Sequence, residues 1–219
     1  MKLLQQRQQL VTYGLKMVQS RLTTGSGGNL SILSPEDNLI AISPSGINYD
    51  QVTVEDIVVV DRNGKTVEGS RKPSSELGFH LALYAARPEI RSVVHTHSVY
   101  ATTIACLHWE IPAVHYLVAF SGNKVPLAAY ATFGTDELAD NVVAGIGGYN
   151  AVLLANHGLV TVGKDIKYAF DTAEEIELVA RIYYQSKSVG QPVLVNDEEM
   201  ELVTAKFVSY GQLDTSVSN

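Results

Sequence analysis

The chain has 219 residues, 46% of them hydrophobic and 18% charged, enough for one sizeable core and one domain. A net charge of −7 with no dense Lys/Arg run excludes a nucleic-acid partner, and no apolar run reaches the roughly 20 residues that span a bilayer. The single cysteine, Cys106, fits a reducing compartment, and the opening MKLLQQRQQL lacks the continuous apolar segment of a secretion signal, so a cytoplasmic location is expected.

In chain order, apolar residues at Leu3, Leu4, Leu10, Val11, Leu15 and Val18 predict a first helix that stops before Gly25. GNLSIL and NLIAIS read as two strands of a hairpin, and DIVVVD, RNGK and TVEGS as strand, turn and short strand. Pro73 followed by SSELGFHLALYAAR predicts a capped helix ending before Pro88. IRSVVHT is a strand and YATTIACLHW a helix, in which Cys106 reads as a packing residue. IPAVHYLVA is expected to be extended. GTDELADNVVAGIGG predicts a helix with Thr135 as N-cap. NAVLLAN and HGLVTVG are strands, a long helix runs from Ile166 to about Ser188, and a last one from Asp197 to about Tyr210. The expected fold is α/β, a single layered domain over 1–210 with a central, mostly antiparallel sheet flanked by helices, and a flexible tail over 211–219.

Several of these elements carry groups with chemical use. His95 and His97 end an apolar strand two residues apart, so both rings point to one face with their Cα atoms roughly 6.7 Å apart. That spacing suits either one shared ion or two ordinary strand-end hydrogen bonds. His157 sits in Asn-His-Gly between two apolar runs, as a turn cap or as a ligand. Glu76, just after Pro73-Ser74-Ser75, reads as a helix-capping carboxylate or as a metal ligand beside an anion bound at the helix start. His80, four residues on, is a rival ligand, an outer partner or a buried core histidine. The loop TTGSGGNLS follows a helix and opens a strand, with Leu30 where a dinucleotide fingerprint needs its third glycine, and it lacks the Gly-Lys-Ser/Thr of a P-loop. It remains either a helix end or a set of amides gathered around an anion, and SPSG at 43–46 is of the same kind. Three histidines with one carboxylate suit Zn²⁺, and three Ser/Gly loops suit a phosphate.

GSGGNLS, ISPSG, PSSE, VVHTHS, IPAVHY, YATFGT and NHGL, in this order, resemble the class II aldolase/adducin-head family over about residues 11–210. The resemblance implies one Zn²⁺ per subunit held by Glu76, His95, His97 and His157. It implies a phosphate site at Gly28, Asn29, Ser45, Gly46, Ser74 and Ser75, and an aldehyde side lined by Phe133, Phe207 and Tyr210. SPSG stands where a threonine-containing version is familiar, and Ser45 keeps the hydroxyl. Catalysis falls to Glu76, as base at the carbon beside a carbonyl, and to Tyr116, which reaches a neighbouring subunit's site to serve the aldehyde oxygen in a cyclic homotetramer. IPAVHYLVAFSGNKVP and AAYATFGT are most similar to members that cleave L-fuculose 1-phosphate to dihydroxyacetone phosphate and L-lactaldehyde. The rivals are an L-ribulose-5-phosphate 4-epimerase or a sugar-phosphate dehydratase and, outside enzymes, an adducin-head interaction module.

Overall fold

The computed structural model describes residues 1–208. Eight strands form one sheet: β1 (Asn29–Ser34), β2 (Leu39–Ile42), β3 (Val58–Asp61), β4 (Thr66–Glu68), β5 (Ser92–Thr96), β6 (Leu127–Ala128), β7 (Ala151–Leu154) and β8 (Gly158–Gly163). Their order is β4-β3-β2-β1-β5-β8-β7-β6, and every neighbouring pair is antiparallel except β6 with β7. The strand that carries the paired histidines therefore lies inside the sheet, between β1 and β8.

Helices cover both faces, as the sequence pattern predicts. Side chains alternate along a strand, so Val94 joins one apolar cluster and Val93 the other. The first cluster packs against α1 (Leu4–Gln19), α3 (Val99–Cys106) and α5 (Ile166–Val189), through residues such as Leu10, Ile104, Phe170 and Ile176. The second packs against α2 (Leu77–Ala86) and α4 (Asp136–Ile146), through Phe79, Leu83, Leu138 and Val142. A final helix, α6, spans Asp197–Val208. No helix among the described residues is long and apolar enough to cross a membrane. The expected tail at 211–219 lies outside the described residues.

Two local expectations differ from what the chain does, and one short strand has no sequence signal. IPAVHYLVA is not one extended segment: Ile111 bridges to Val125, and Tyr116–Phe120 coil into a 3₁₀ turn capped by the His115 ring, which accepts from the Leu117 amide at 3.4 Å. The two-residue β6 carries no alternating pattern of its own and forms because β7 offers it an edge. Cys106 is exposed at the end of α3 and does not pack in the core. Thr135 caps α4 as expected, accepting from the Leu138 amide at 3.2 Å.

The helix after the histidine strand is tied down by charge. Ser98, the N-cap of α3, makes no side-chain capping bond. The free amides of Tyr100 and Ala101 instead donate to Glu177 of α5, both at 2.8 Å. A carboxylate at a helix start satisfies orphan amides and favours the positive end of the dipole. Glu177→Ala should lower unfolding stability by about 1–2 kcal/mol, read from a denaturant midpoint, by freeing the start of α3.

Candidate active site

Main-chain proximity sets the site at the C-terminal end of β5. Gly28, with φ of +67°, passes so close to β5 that a Cβ there would lie 2.4 Å from the His95 carbonyl oxygen. Gly158, on the opposite flank, leaves room for only a hydrogen, since a Cβ would lie 2.3 Å from the Thr96 oxygen. In the turn before it, Asn156 takes the left-handed angle (φ 53°), and Gly158 is needed for space alone. The β7–β8 hairpin turn 155–157 then lifts His157 over the end of β5.

The three imidazoles converge. The ligating nitrogens of His95, His97 and His157 all lie within 4.8 Å of one another. His95 is fully buried, and its Nδ1–H donates to the Leu159 carbonyl at 3.0 Å, which turns the Nε2 lone pair inward, 3.0 Å from His97 Nε2. Glu76 closes the group: its Oε2 lies 3.3 Å from His95 Nε2 and its Oε1 3.3 Å from His157 Nε2.

Glu76 does not cap its helix. It occupies the N-cap position of α2 without a side-chain capping bond, and its own amide donates to Ser74 Oγ at 3.2 Å. The carboxylate is turned inward, 6% exposed, with Oε2 accepting from Asn29 Nδ2 at 2.8 Å and Oε1 buried without a hydrogen-bond partner. Burial pushes the carboxyl above the usual glutamate range, opposed by His157 and the Asn29 hydrogen bond. Burial also lowers the three histidines: His95 well below the usual range with His97 and His157 adding to the effect, His157 against the pull of Glu76, and His97 through partial desolvation although it stands at the exposed rim. Neutral imidazoles and an orphaned carboxylate oxygen are what a divalent cation needs from its ligands, so the donor set fits a metal.

A cavity of about 390 Å³ opens on these groups. Gly28, Asn29, Ser45, Gly46, Ser74 and Ser75, the six residues assigned to phosphate, all line it, together with Glu76, His97, His157 and Phe133. Their loops are stitched together: the Ser74 amide donates to the Ser43 carbonyl and the Ser45 amide to the Lys72 carbonyl, each at 3.0 Å. Tyr130 and Asn156 also line the cavity and were not singled out from sequence. Tyr116 and Phe207 are not among its walls; their rings lie 6.3 Å apart, and Phe207 packs edge-on against Phe120 at 5.0 Å. Tyr210 lies outside the described residues. His108, which has no role in the sequence reading, donates from Nε2 to Asn156 Oδ1 at 2.6 Å and so braces the turn that presents His157. Its separation from Asn156 by 48 residues leaves no local signal for it.

The fold and the site define a class II, metal-dependent aldolase. The chain belongs to the Class II Aldolase and Adducin N-terminal domain family, whose profile matches residues 8–184. It is 53% identical over 212 residues to the 5-deoxy-D-ribulose 1-phosphate aldolase of Bacillus thuringiensis serovar kurstaki, covering 97% of this chain and 100% of that one. It is 40% identical to the L-fuculose phosphate aldolase of Escherichia coli strain K12, over 93% of this chain and 94% of that one. A solved structure of an L-fuculose 1-phosphate aldolase superposes with a TM-score of 0.91 at 47% identity, covering 93% of this chain and 96% of that one.

His80, four residues from Glu76, is not in the ligating group. It is fully buried, and burial alone holds its pKa down at about 3. Because the folded ring stays neutral where an unfolded one would take a proton, its stabilising contribution is full above pH 6.5 and is lost as pH falls from 6.5 towards 3. His80→Gln should therefore flatten the acid limb of the stability–pH curve by about 1.4 kcal/mol per pH unit, measured by denaturant titration across that range.

Proposed function

We propose that the protein cleaves short, terminally deoxygenated ketose 1-phosphates. 5-Deoxy-D-ribulose 1-phosphate would give dihydroxyacetone phosphate and acetaldehyde, and L-fuculose 1-phosphate would give dihydroxyacetone phosphate and L-lactaldehyde. The observation that carries this reading is the buried Glu76, with one oxygen bonded and the other free, at the floor of a cavity whose walls are hydroxyls and amides. Both substrates end in a methyl group, and the aromatic rings of Phe133 and Tyr130 at the cavity wall suit an apolar end.

Each part of the cavity has work to do in this reaction. Ser45, Ser74 and Ser75 hydroxyls with the amides of Gly28 and Gly46 bind the phosphate by donation, without needing a fixed cation in an acidic protein. Asn29 Nδ2 spends one hydrogen on Glu76 and keeps a second for substrate. His95, His97, His157 and Glu76 would hold one Zn²⁺ per subunit, favoured by the nitrogen-rich set. When bound, the metal supplies Lewis-acid polarisation of the substrate carbonyl.

In the condensing direction, Glu76 takes the proton from the hydroxyl-bearing carbon of dihydroxyacetone phosphate, and the electron pair left behind delocalises into the carbonyl. A carboxyl raised by burial is a stronger base for this step than a solvated one. That carbon then bonds to the aldehyde carbon, and the aldehyde oxygen receives a proton from Tyr116. Cleavage is the same path reversed. Tyr116 is half exposed and stands outside its own chain's cavity, so the donor has to come from a second copy. That supports sites shared between copies; a cytoplasmic homotetramer is the assembly we propose.

The metal-loaded protein, offered 5-deoxy-D-ribulose 1-phosphate and L-fuculose 1-phosphate, should release dihydroxyacetone phosphate from both. Epimerisation of L-ribulose 5-phosphate without such release would overturn the proposal. His157→Ala should bring metal content per subunit close to zero by elemental analysis. Glu76→Gln should slow hydrogen exchange at dihydroxyacetone phosphate by about 10²- to 10⁴-fold, whereas Tyr116→Phe should spare that exchange and impair carbon–carbon bond formation.

A further inference from the structure

Five side chains between β1 and α2 form a single file of hydrogen bonds inside an otherwise apolar interface. Asn29 and Ser31 are two apart on the strand, and Glu76, His80 and Tyr84 are four apart along the helix. A helix rises about 6 Å in four residues and a strand about 6.7 Å in two, so the two series stay in step. The links run Tyr84 Oη to Ser31 Oγ (2.7 Å), Ser31 Oγ to His80 Nδ1 (2.7 Å), His80 Nε2 to Asn29 Oδ1 (2.5 Å) and Asn29 Nδ2 to Glu76 Oε2 (2.8 Å). All five residues are buried, none more than 6% exposed.

The direction of every link follows from its chemistry. A carboxylate only accepts, so Asn29 presents Nδ2 to Glu76 and must present its carbonyl oxygen to His80. A carbonyl oxygen also only accepts, so the proton on the His80 ring sits on Nε2. With the ring neutral, Nδ1 is a lone pair that accepts the one Ser31 hydroxyl hydrogen, so the 2.7 Å link takes its hydrogen from Tyr84, whose approach to the Arg91 carbonyl is longer, at 3.4 Å. Every hydrogen in the file points towards Glu76 Oε2.

We propose that His80 is a positioning residue for Glu76. Its Nε2–H helps fix which way round the Asn29 amide stands, Asn29 pins Oε2 beside His95, and Oε1 is left facing His157 without a hydrogen bond. With no donor at Nε2, the Asn29 carbonyl oxygen loses its buried partner and the amide is held from the Glu76 side alone. This assignment rests on the reading of Glu76 as the base.

The experiment has two arms on the whole protein. Nitrogen-15 NMR of the histidine side chains near neutral pH should show His80 as the neutral Nε2–H tautomer; the Nδ1–H form or a charged ring would overturn the proposal whether or not any variant folds. In metal-loaded His80→Phe, hydrogen exchange at dihydroxyacetone phosphate should fall by about 10- to 100-fold, with metal content per subunit and KM unchanged. His80→Gln, which keeps a donor for Asn29, should recover most of that loss. Exchange at the wild-type rate in folded His80→Phe would overturn the proposal, as would a loss shared with metal content and KM. Absence of exchange in the wild-type protein would instead mark failure of the aldolase reading itself.

Discussion

A carboxylate buried under three imidazoles is the constraint around which the rest of this molecule is arranged. Taking an ionised glutamate out of water costs several kcal/mol unless partners replace the lost hydration. Glu76 has one oxygen satisfied by Asn29 and one left without a hydrogen bond, facing His157. Such a group is stable in place only because the surrounding structure is rigid: a strand in the interior of an eight-stranded sheet, two helix layers, and a helix start turned to present the side chain inward. The same incomplete satisfaction leaves one carboxylate oxygen open to a further partner from the cavity.

Two faces of the sheet divide the labour. The face covered by α1, α3 and α5 is apolar and supplies most of the large buried residues. The face covered by α2 and α4 admits a line of polar groups, from Tyr84 at one end to Glu76 at the other, each hydrogen-bonded to the next. Buried polar groups are tolerated when each is bonded, and a fully satisfied file also selects one set of rotamers over others. The cluster's geometry is thus inherited from how a helix repeat and a strand repeat match, rather than from any one loop.

Most of this was legible from residues. Strand alternation at Val93, Val94 and His95 and the flanking turn signals gave the sheet, and the i, i+2 spacing of His95 and His97 brought both rings to one face. The small Ser/Gly loops are recognisable from their composition, and they line the same cavity as the glutamate because main-chain bonds between distant residues join them. What stayed hidden depends on long-range pairing. The 3₁₀ turn at 116–120 looked like a strand because its apolar run has no diagnostic period. Local sequence left Glu76 open between a cap and a ligand, because the Asn29 side chain that holds it inward lies 47 residues away. Ser31 and Tyr84 carry no local signal at all; their partner is on another element.

The two close approaches beside the histidine strand have an evolutionary consequence. At positions 28 and 158 a side chain of any size would collide with main-chain oxygen, so nothing can be redecorated there without prising strands apart. Any change in what the cavity accepts is thereby channelled outward, to wall residues such as Phe133 and Tyr130, which stand 64% and 59% exposed. Steric necessity freezes the floor, whereas the rim has room to be rebuilt.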